Sequence, residues 1–245
     1  MLALENIVWT LPTGEKILNG VTLEIPDGKL TVITGPNGGG KTSLAKIISG
    51  IEHPTSGSII LNGEDITQLN VTERARRGIG YAFQQPVRFK GLTIRSLLEL
   101  AAGESLTEES LCGLLGKVGL CAHDYIDREA DASLSGGEIK RVEIATLLAR
   151  RGLRLAVFDE PEAGIDLWSF AGLIDVFQQL KNNAGESMLI ISHQERILEI
   201  ADNIVVIADG KVRMSGRGEK VLPSLLEGEK AVRCPIMERK GRDCQ

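Results

Sequence analysis

Residues 35–42 read Gly-Pro-Asn-Gly-Gly-Gly-Lys-Thr, and this stretch decides the fold because it matches the phosphate-binding pattern G-x-x-x-x-G-K-[ST]. Residues 30–34, which precede it, are a short apolar run that predicts a buried strand. Residues 42–49, which follow it, place apolar side chains at helical spacing, with Gly50 as a helix stop. A strand, a glycine-rich loop and a helix in this order predict a loop whose backbone N–H groups surround the phosphates of a nucleotide.

Two side chains of this loop suit a triphosphate. Lys41 is expected to bridge the β- and γ-phosphates, and the Thr42 hydroxyl is expected to bind Mg²⁺. A chance match by a glycine-rich turn is the alternative, but it would not explain the strand, the helix and the Lys-Thr pair together. The stretch therefore predicts a nucleoside triphosphate site.

The composition is that of an ordinary globular protein, since 42% of the 245 residues are hydrophobic and 25% are charged. A net charge of −5 gives no basic field that would favour nucleic acid. Every apolar run is far shorter than the ~20 residues of a membrane span, and the first residues lack a signal-peptide pattern. The 4 cysteines are irregularly spaced and indicate no disulfide framework. We therefore expect a cytoplasmic protein with no membrane span of its own and no nucleic-acid partner.

The N-terminal part of the chain predicts β-structure. Residues 2–9 and 21–25 are expected strands, and Asn62-Gly63 is a hairpin signal after a strand at 59–61. Trp9 is the only aromatic residue among the first 80, so it is the candidate to stack on the nucleotide base. A tryptophan in the core or at the edge of a sheet is the alternative interpretation.

The segment that follows predicts a short helix at residues 71–77 and a strand at 78–83 that ends at Gln84. The helix has three arginines, which we interpret as a solvated face rather than a phosphate-binding patch. They are Arg74, Arg76 and Arg77.

From about residue 87 to residue 150 the pattern is helical, which predicts an insertion into the α/β core. Residues 92–102 have one apolar face, and Ser105 to Glu108 match a capping box that opens a helix through Leu120. Residues 134–138, Leu-Ser-Gly-Gly-Glu, end a polar loop and open a helix over 138–150. A helix N-terminus preceded by a serine and two glycines is a second anion-binding device, which could close over the γ-phosphate of a second molecule.

Two more apolar runs, residues 155–158 and 188–191, predict buried strands that end in polar side chains. After the first, Asp159 is expected to hold Mg²⁺ through water and Glu160 to orient the attacking water, although adjacent acids also occur as turn residues. After the second, His193 is expected to hydrogen-bond the γ-phosphate, although a lone histidine is more often structural.

The C-terminal part predicts a hairpin around Asp209-Gly210 and no pattern after about residue 225. Cys234 and Cys244 lie among basic residues in this tail. Incidental thiols in a disordered basic tail are one interpretation. Metal binding or thiol exchange with a partner is the other, since nearby cations favour the thiolate.

These motifs, in this order, resemble the nucleotide-binding subunit of ATP-binding-cassette (ABC) proteins, and the resemblance covers residues 2–222. It implies an α/β fold with a RecA-like P-loop core, an antiparallel β subdomain and an inserted α-helical subdomain. It implies that residues 1–222 form the ATPase domain, with the helical insertion at about 87–150. Residues 223–245 are then a cysteine-containing C-terminal extension.

The resemblance also implies ATP and Mg²⁺ as ligands, ATP hydrolysis, and a head-to-tail homodimer that forms when ATP binds. In that dimer the serine and glycines at 135–137 and Asp166 would complete the ATP site of the other copy. The implied catalytic residues are Glu160, His193 and Gln84, and the implied Mg²⁺ contacts are Thr42, Gln84 and Asp159. The implied nucleotide contacts are Gly35, Pro36, Asn37, Gly38, Gly39, Gly40, Lys41, Thr42, Ser43, Ser135, Gly136, Gly137 and Asp166.

Within that family, residues 82–87, 135–144 and 192–198 look like the Suf-type ATPase of iron–sulfur cluster assembly, SufC. Glu138, for example, occupies a position where most transporter ATPases have glutamine. This finer resemblance implies an ATPase that drives a SufB/SufD-like scaffold subunit. The alternatives are the ATP-binding subunit of a membrane ABC transporter, and a slow clamp for which ATP binding matters more than turnover. Residues 86–98 would bind the partner in either of the first two cases.

Overall fold

A computed structural model describes residues 1–183 and 187–232 of the chain. The strands are β1 (Leu2–Thr10), β2 (Lys16–Ile25), β3 (Leu30–Thr34), β4 (Ser56–Leu61), β5 (Glu64–Asp65), β6 (Ile79–Ala82), β7 (Leu155–Asp159), β8 (Ser187–Ile191), β9 (Asn203–Ala208) and β10 (Lys211–Arg217). The helices are α1 (Lys41–Ser49), α2 (Val71–Arg76), α3 (Ile94–Ala102), α4 (Glu108–Lys117), α5 (Ala122–Tyr125), α6 (Gly136–Ala149), α7 (Leu167–Asn183), α8 (Glu195–Glu199) and α9 (Gly218–Val232).

The N-terminal strands form an antiparallel sheet in the order β2-β1-β4-β5. The turn between β4 and β5 is the one that the Asn62-Gly63 signal predicts, because both residues adopt positive φ, 51° and 84°. Apolar side chains such as Leu2, Leu4 and Ile59 cover one face of this sheet and are buried. The sheet therefore has one face to pack against the rest of the molecule.

A second sheet has the order β10-β9-β3-β8-β7-β6, and all of its neighbouring pairs are parallel except β9 with β10. In the register of this sheet Ile191 lies beside both Ile33 and Asp159, and Ala82 lies beside Phe158. The carboxyl ends of β3, β6, β7 and β8 therefore meet at one edge, where parallel α/β sheets bind their ligands.

The core lies on both faces of this second sheet, because successive side chains of a strand point to opposite faces. Ile33, Val157 and Leu189 face α1 and the antiparallel sheet. Their neighbours Val32, Phe158 and Ile190 face the opposite way, into a cluster that includes residues of α3, α6 and α7. Helix α1 is thus held between the two sheets, which fixes the phosphate loop at its start. This arrangement confirms the α/β fold class.

Arg74 corrects one prediction, because it is fully buried and is not part of a solvated face. Its guanidinium donates to the carbonyl oxygens of Ile47 (2.5 Å) and Ile48 (3.0 Å), at the end of α1, and of Thr67 (2.8 Å). The last carbonyls of a helix lack intrahelical donors and have partial negative charge, so a cation suits this position. Burial lowers the pKa of Arg74 to about 10, which leaves it charged at neutral pH.

The helical segment differs from its sequence-based boundaries in two places. Helix α4 is capped by Thr107, which accepts from the backbone N–H of Ser110, and not by Ser105 with Glu108. It ends at Lys117, three residues before the predicted Leu120. Helices α3 to α6 all lie between β6 and β7, in the segment where the insertion is predicted.

Helix α9 runs across residue 222, at which the sequence places the end of the ATPase domain. The pattern past residue 225 gave no helix prediction, and Pro223 inside the helix weakened the signal there. The structure nevertheless packs Val221, Leu222 and Leu225 against the core cluster that contains α6 and α7. Cys234 and Cys244 lie outside the described residues.

Candidate functional site

The phosphate loop connects β3 to α1 in a conformation that requires glycine. Gly35 has φ +134°, and a Cβ there would lie 2.0 Å from the carbonyl oxygen of Ile207 in β9. Lys41 is buried, and its Nζ donates to the carbonyl oxygens of Gly35 (2.8 Å) and Pro36 (3.0 Å). The ammonium group therefore lies within the curve of the loop, where the motif places the phosphates.

Asp159 ends β7 and is held from two sides. Its Oδ1 accepts from the hydroxyl of Thr42 at 3.0 Å, and its Oδ2 accepts from the hydroxyl of Tyr81 at 2.8 Å. Burial and the nearby Asp159 charge raise the pKa of Tyr81 far above its ordinary value, so Tyr81 remains a proton donor. The sequence analysis predicted the meeting of Thr42 with Asp159 but did not include Tyr81.

Thr42 and Asp159 are a fitting partial ligand set for Mg²⁺, which prefers hydroxyl, carboxylate and water oxygens together with substrate phosphates. Within residues 1–183 and 187–232, no group of three or more His, Cys, Asp or Glu side chains is arranged to hold a metal ion. A cation here would therefore depend on phosphate oxygens for much of its coordination.

Glu160 follows Asp159 and has a positive φ of 43°, which is uncommon for a residue with a Cβ. Its backbone N–H donates to the carbonyl of Ile191 (3.0 Å), which fixes the turn against the end of β8. Its Oε2 accepts from Nε2 of Gln84 at 2.6 Å. The structure therefore brings together two predicted catalytic residues that are 76 positions apart in the chain.

His193 follows β8, and it has an acidic neighbour that the sequence analysis did not include. Nδ1 of His193 lies 3.9 Å from Oε1 of Glu162, and the same oxygen accepts from the hydroxyl of Ser192. The side chain of Glu162 is only 8% exposed, and within the described part of the chain its Oε2 has no hydrogen-bond partner. Burial raises the pKa of Glu162 above its ordinary value.

Residues 134–138, which we call the signature turn, begin helix α6. Ser135 is the N-cap: its Oγ accepts from Glu138 N–H at 3.2 Å, and the Glu138 carboxylate accepts from Ser135 N–H at 2.7 Å. The helix thus begins at Gly136, two residues earlier than the sequence analysis predicted. A Cβ on Gly136 would lie 2.8 Å from the carbonyl of Gly164, so the turn packs closely on the loop that precedes α7.

The signature turn is separate from the phosphate loop in this chain. Among the residues that the structure describes, no hydrogen bond joins residues 134–138 to residues 35–43. The Asp166 carboxylate has local partners instead, since it accepts from Trp168 N–H, Ser169 N–H and the Ser169 hydroxyl at 2.7–3.0 Å. These hydrogen bonds, those from Ser169 above all, lower the pKa of Asp166.

An apolar groove lies beside Gln84, between the end of β6 and helix α6. Phe83, Val87 and Phe89 are 44%, 47% and 40% exposed, which is unusual for such side chains side by side. The groove has a volume of about 170 Å³, and its wall includes Leu97 of α3 and Val142 of α6. Val87, Phe89 and Leu97 of its lining lie in the segment 86–98 that the sequence analysis selected as a partner surface, and that role stays a prediction.

Trp9, the sequence-based candidate for base stacking, lies in β1 opposite Leu18. It is half-buried and packs against the core cluster of the antiparallel sheet, in keeping with the alternative interpretation. Its role toward a nucleotide stays a prediction. In the described ranges, no helix has the length and apolar content needed to cross a membrane.

Comparisons with known proteins agree on the family. A protein-family model described as "ABC transporter" matches residues 18–163. An uncharacterised ABC transporter ATP-binding protein of Methanocaldococcus jannaschii is 41% identical over 84% of this chain and 85% of its own length. Neither description names a Suf-type ATPase.

Solved structures give the same result. The ADP conformation of an ATP-binding cassette of an ABC transporter has a TM-score of 0.80 at 30% identity, covering 95% of this chain and 96% of that chain. A dimeric bacterial ABC transporter cassette has a TM-score of 0.78 at 25% identity, covering 89% of this chain and 98% of that chain.

Proposed function

The chain belongs to the ABC transporter family of ATPases, and on that premise we propose that it is the ATP-binding subunit of a membrane transporter complex. The observation that carries this proposal is the sheet edge at which the phosphate loop, Asp159-Glu160, Ser192-His193 and Gln84 meet. ATP binding and hydrolysis are the activity of the family. The site residues below are our assignments.

Lys41, Thr42 and the backbone of residues 35–42 hold the triphosphate in this proposal. The Thr42 hydroxyl, Gln84 and, through a water, Asp159 would hold Mg²⁺, whose positive charge would offset the negative charge of the triphosphate. Tyr81 keeps the Asp159 carboxylate turned toward Thr42 by its 2.8 Å hydrogen bond. His193 donates to a γ-phosphate oxygen in this proposal, and its Nδ1 lies 3.9 Å from Oε1 of Glu162.

Glu160 orients and polarises the attacking water. Its backbone is fixed to β8 through Ile191, and its carboxylate is fixed by Gln84, so the base is held in one orientation. The side-chain amide of Gln84 donates to this carboxylate, and the backbone of Gln84 lies beside the apolar groove. A movement of the residues that line the groove would therefore change the position of the Glu160 carboxylate through Gln84.

The active form in this proposal is a head-to-tail homodimer with ATP between the copies. The separation of the signature turn from the phosphate loop within one chain supports it, because the helix N-terminus at Ser135 is then available to a second molecule. The dimeric cassette of similar fold also supports it. ATP would join the copies, and hydrolysis would release them.

The groove at Phe83, Val87 and Phe89 is the proposed docking surface for the membrane subunit, at the cytoplasmic face of the membrane. A tagged Glu160→Gln chain, given ATP and detergent-solubilised membranes, should capture a membrane protein with several spans, identified by mass spectrometry. Val87→Ser/Phe89→Ser should lose this partner, whereas the exposed control Arg76→Ser should keep it. Capture of a soluble scaffold in place of a membrane protein would contradict the proposal.

A Suf-type ATPase that drives a scaffold subunit is the second candidate function. Glu138 favours it, since the sequence is similar to that family there and the carboxylate is used: it accepts from Ser135 N–H and from the Tyr125 hydroxyl. The relatives named above are described as transporter subunits, which favours the first candidate. In the same capture experiment, a soluble scaffold that binds through the groove would establish the second.

A further inference from the structure

Two buried charges on helix α6 hold the backbone of the residue that precedes Gln84. Nζ of Lys140 donates to the carbonyl oxygen of Phe83 at 2.6 Å. The Phe83 N–H donates in turn to Oε1 of Glu143 at 3.0 Å. Lys140 and Glu143 also pair with each other at 2.9 Å, which closes the arrangement. We call these two side chains the α6 clamp.

The α6 clamp is not a surface ion pair. The side chains of Lys140 and Glu143 are 1% and 16% exposed, and charges are removed from water only at a considerable cost. Both carboxylate oxygens and the ammonium group are satisfied by each other and by one residue, Phe83. None of these groups belongs to the proposed ATP-binding or water-orienting machinery.

Phe83 is the first residue after β6, which ends at Ala82. Its backbone N–H and carbonyl therefore lie beyond the described pairing of the sheet, and the clamp supplies partners that the sheet does not. The next residue is Gln84, whose Nε2 donates to Glu160 at 2.6 Å. A continuous set of hydrogen bonds thus runs from α6 through Phe83 and Gln84 to Glu160.

We propose that Lys140 and Glu143 are positioning residues that tie Gln84 to helix α6. Helix α6 begins at the signature turn, and Glu143 lies eight residues after Ser135, roughly 12 Å along a rigid helix. Contact of a second molecule's nucleotide with the signature turn would shift α6, and the clamp would shift Gln84 against Glu160. This inference rests on the proposed role of Gln84 and on the shared ATP site.

The test is a double-mutant cycle on the steady-state ATPase of the full chain. Lys140→Met/Glu143→Leu removes both charges and both contacts to Phe83 while preserving apolar volume, and buried pairs replaced in this way commonly fold. We expect kcat to fall by at least about 10-fold while the dissociation constant for ATP changes by less than about 2-fold. In a Gln84→Ala background the same double substitution should lower kcat by less than about 2-fold, because the hydrogen bond from Gln84 to Glu160 is already absent.

The control is an exposed ion pair, Glu104 with Arg151. Glu104→Leu/Arg151→Met should leave kcat unchanged in both backgrounds. If Lys140→Met/Glu143→Leu does not fold, the same cycle is measured with Glu143→Gln, which keeps an acceptor for the Phe83 N–H but replaces the oxygen that accepts from Lys140 with an amide donor.

Equal losses of kcat in the wild-type and Gln84→Ala backgrounds would overturn the proposal, and so would no loss in either. The proposed role of Gln84 fails in a distinguishable way, because Gln84→Ala alone would then retain wild-type kcat and the positioning role would fall with it. A slow Gln84→Ala variant with an additive clamp effect would refute only the inference.

Discussion

At the residue scale, the side chain of Glu160 lies at the end of β7 with its backbone fixed to β8 and its carboxylate fixed to Gln84. Glu160→Gln keeps the shape and the hydrogen bond but removes the basic oxygen. Because positioned bases contribute roughly 100- to 10,000-fold, we expect kcat to fall by at least about 100-fold while ATP still binds. Steady-state ATPase and nucleotide titration measure both quantities. A rate within about twofold of wild type would disprove the water-orienting role.

Glu162 should make the stability of the protein depend on pH. Burial raises its pKa above its ordinary value, so the folded chain favours the protonated carboxyl. The stability that this group contributes is fully present below the unfolded pKa and is lost as pH rises through the folded pKa. The melting temperature of Glu162→Gln should therefore rise relative to wild type between pH 4.5 and pH 7.5. Glu219 is exposed, so Glu219→Gln should show no such trend. If the melting temperatures of Glu162→Gln and wild type change with pH in the same way, the prediction is contradicted.

The sequence predicted those site residues that follow a recognisable strand or belong to a motif. Thr42, Asp159 and Glu160 belong to this class, and the structure brings them together because parallel strands end at one edge. Tyr81 and Glu162 belong to another class. Tyr81 meets Asp159 across 78 positions of sequence, and its alternating strand gave no sign of which face it would occupy. Glu162 is the third acid of residues 159–162, and only its burial beside Ser192 distinguishes it from a turn residue.

At the scale of elements, helix α1 depends on a side chain from α2. Arg74→Met removes the donors to the carbonyls of Ile47, Ile48 and Thr67, and of these three, within the described ranges, only Ile47 keeps another partner, the Gly50 N–H. We expect unfolding free energy to fall by about 3 kcal/mol, as for other buried polar networks that lose one partner. Urea unfolding measures the change. Arg76→Met, at an exposed position of the same helix, should change stability by less than about 0.5 kcal/mol, and equal effects of the two would refute the capping role.

The elements that the sequence predicted best are those with a strong pattern and a local stop. Strand β3 and helix α1 are bounded by the glycines of the loop and by Gly50, which adopts φ 77°. Boundaries set by tertiary contacts were predicted less well. The pattern at 71–77 could not show that Arg74 is buried against another helix, and α9 is an amphipathic helix that packs on α8, β9 and β10. The burial of Arg74 and the packing of α9 could be predicted only by knowing which surfaces of the folded chain contact each other.

At the scale of the whole molecule, the two helix starts that are predicted to bind anions have separate positions. The phosphate loop begins α1, which is held between the sheets, and the signature turn begins α6, which packs on the opposite face of the mixed sheet. Gln84 lies between them, joined to Glu160 on one side and to α6 through Phe83 on the other. On the proposed function, a single chain would contain two half-sites and a connection between them, and a second copy would supply the missing half of each.

Ser135 provides the sharpest test of this shared site. Ser135→Arg places a long cation where the partner's γ-phosphate contact would form, so it should spare ATP binding by the monomer and prevent ATP-dependent dimerisation. Ser135→Ala is the matched control, because it removes the same N-cap hydrogen bond without adding bulk, and it should still dimerise. Both changes are made in the Glu160→Gln background, which retains ATP, and Lys41→Ala should abolish nucleotide binding and dimerisation together. Light scattering with and without ATP measures the mass. A Ser135→Arg chain that reaches the dimer mass with ATP would disprove the shared site, because dimerisation would then not need contact between the signature turn and the partner's nucleotide.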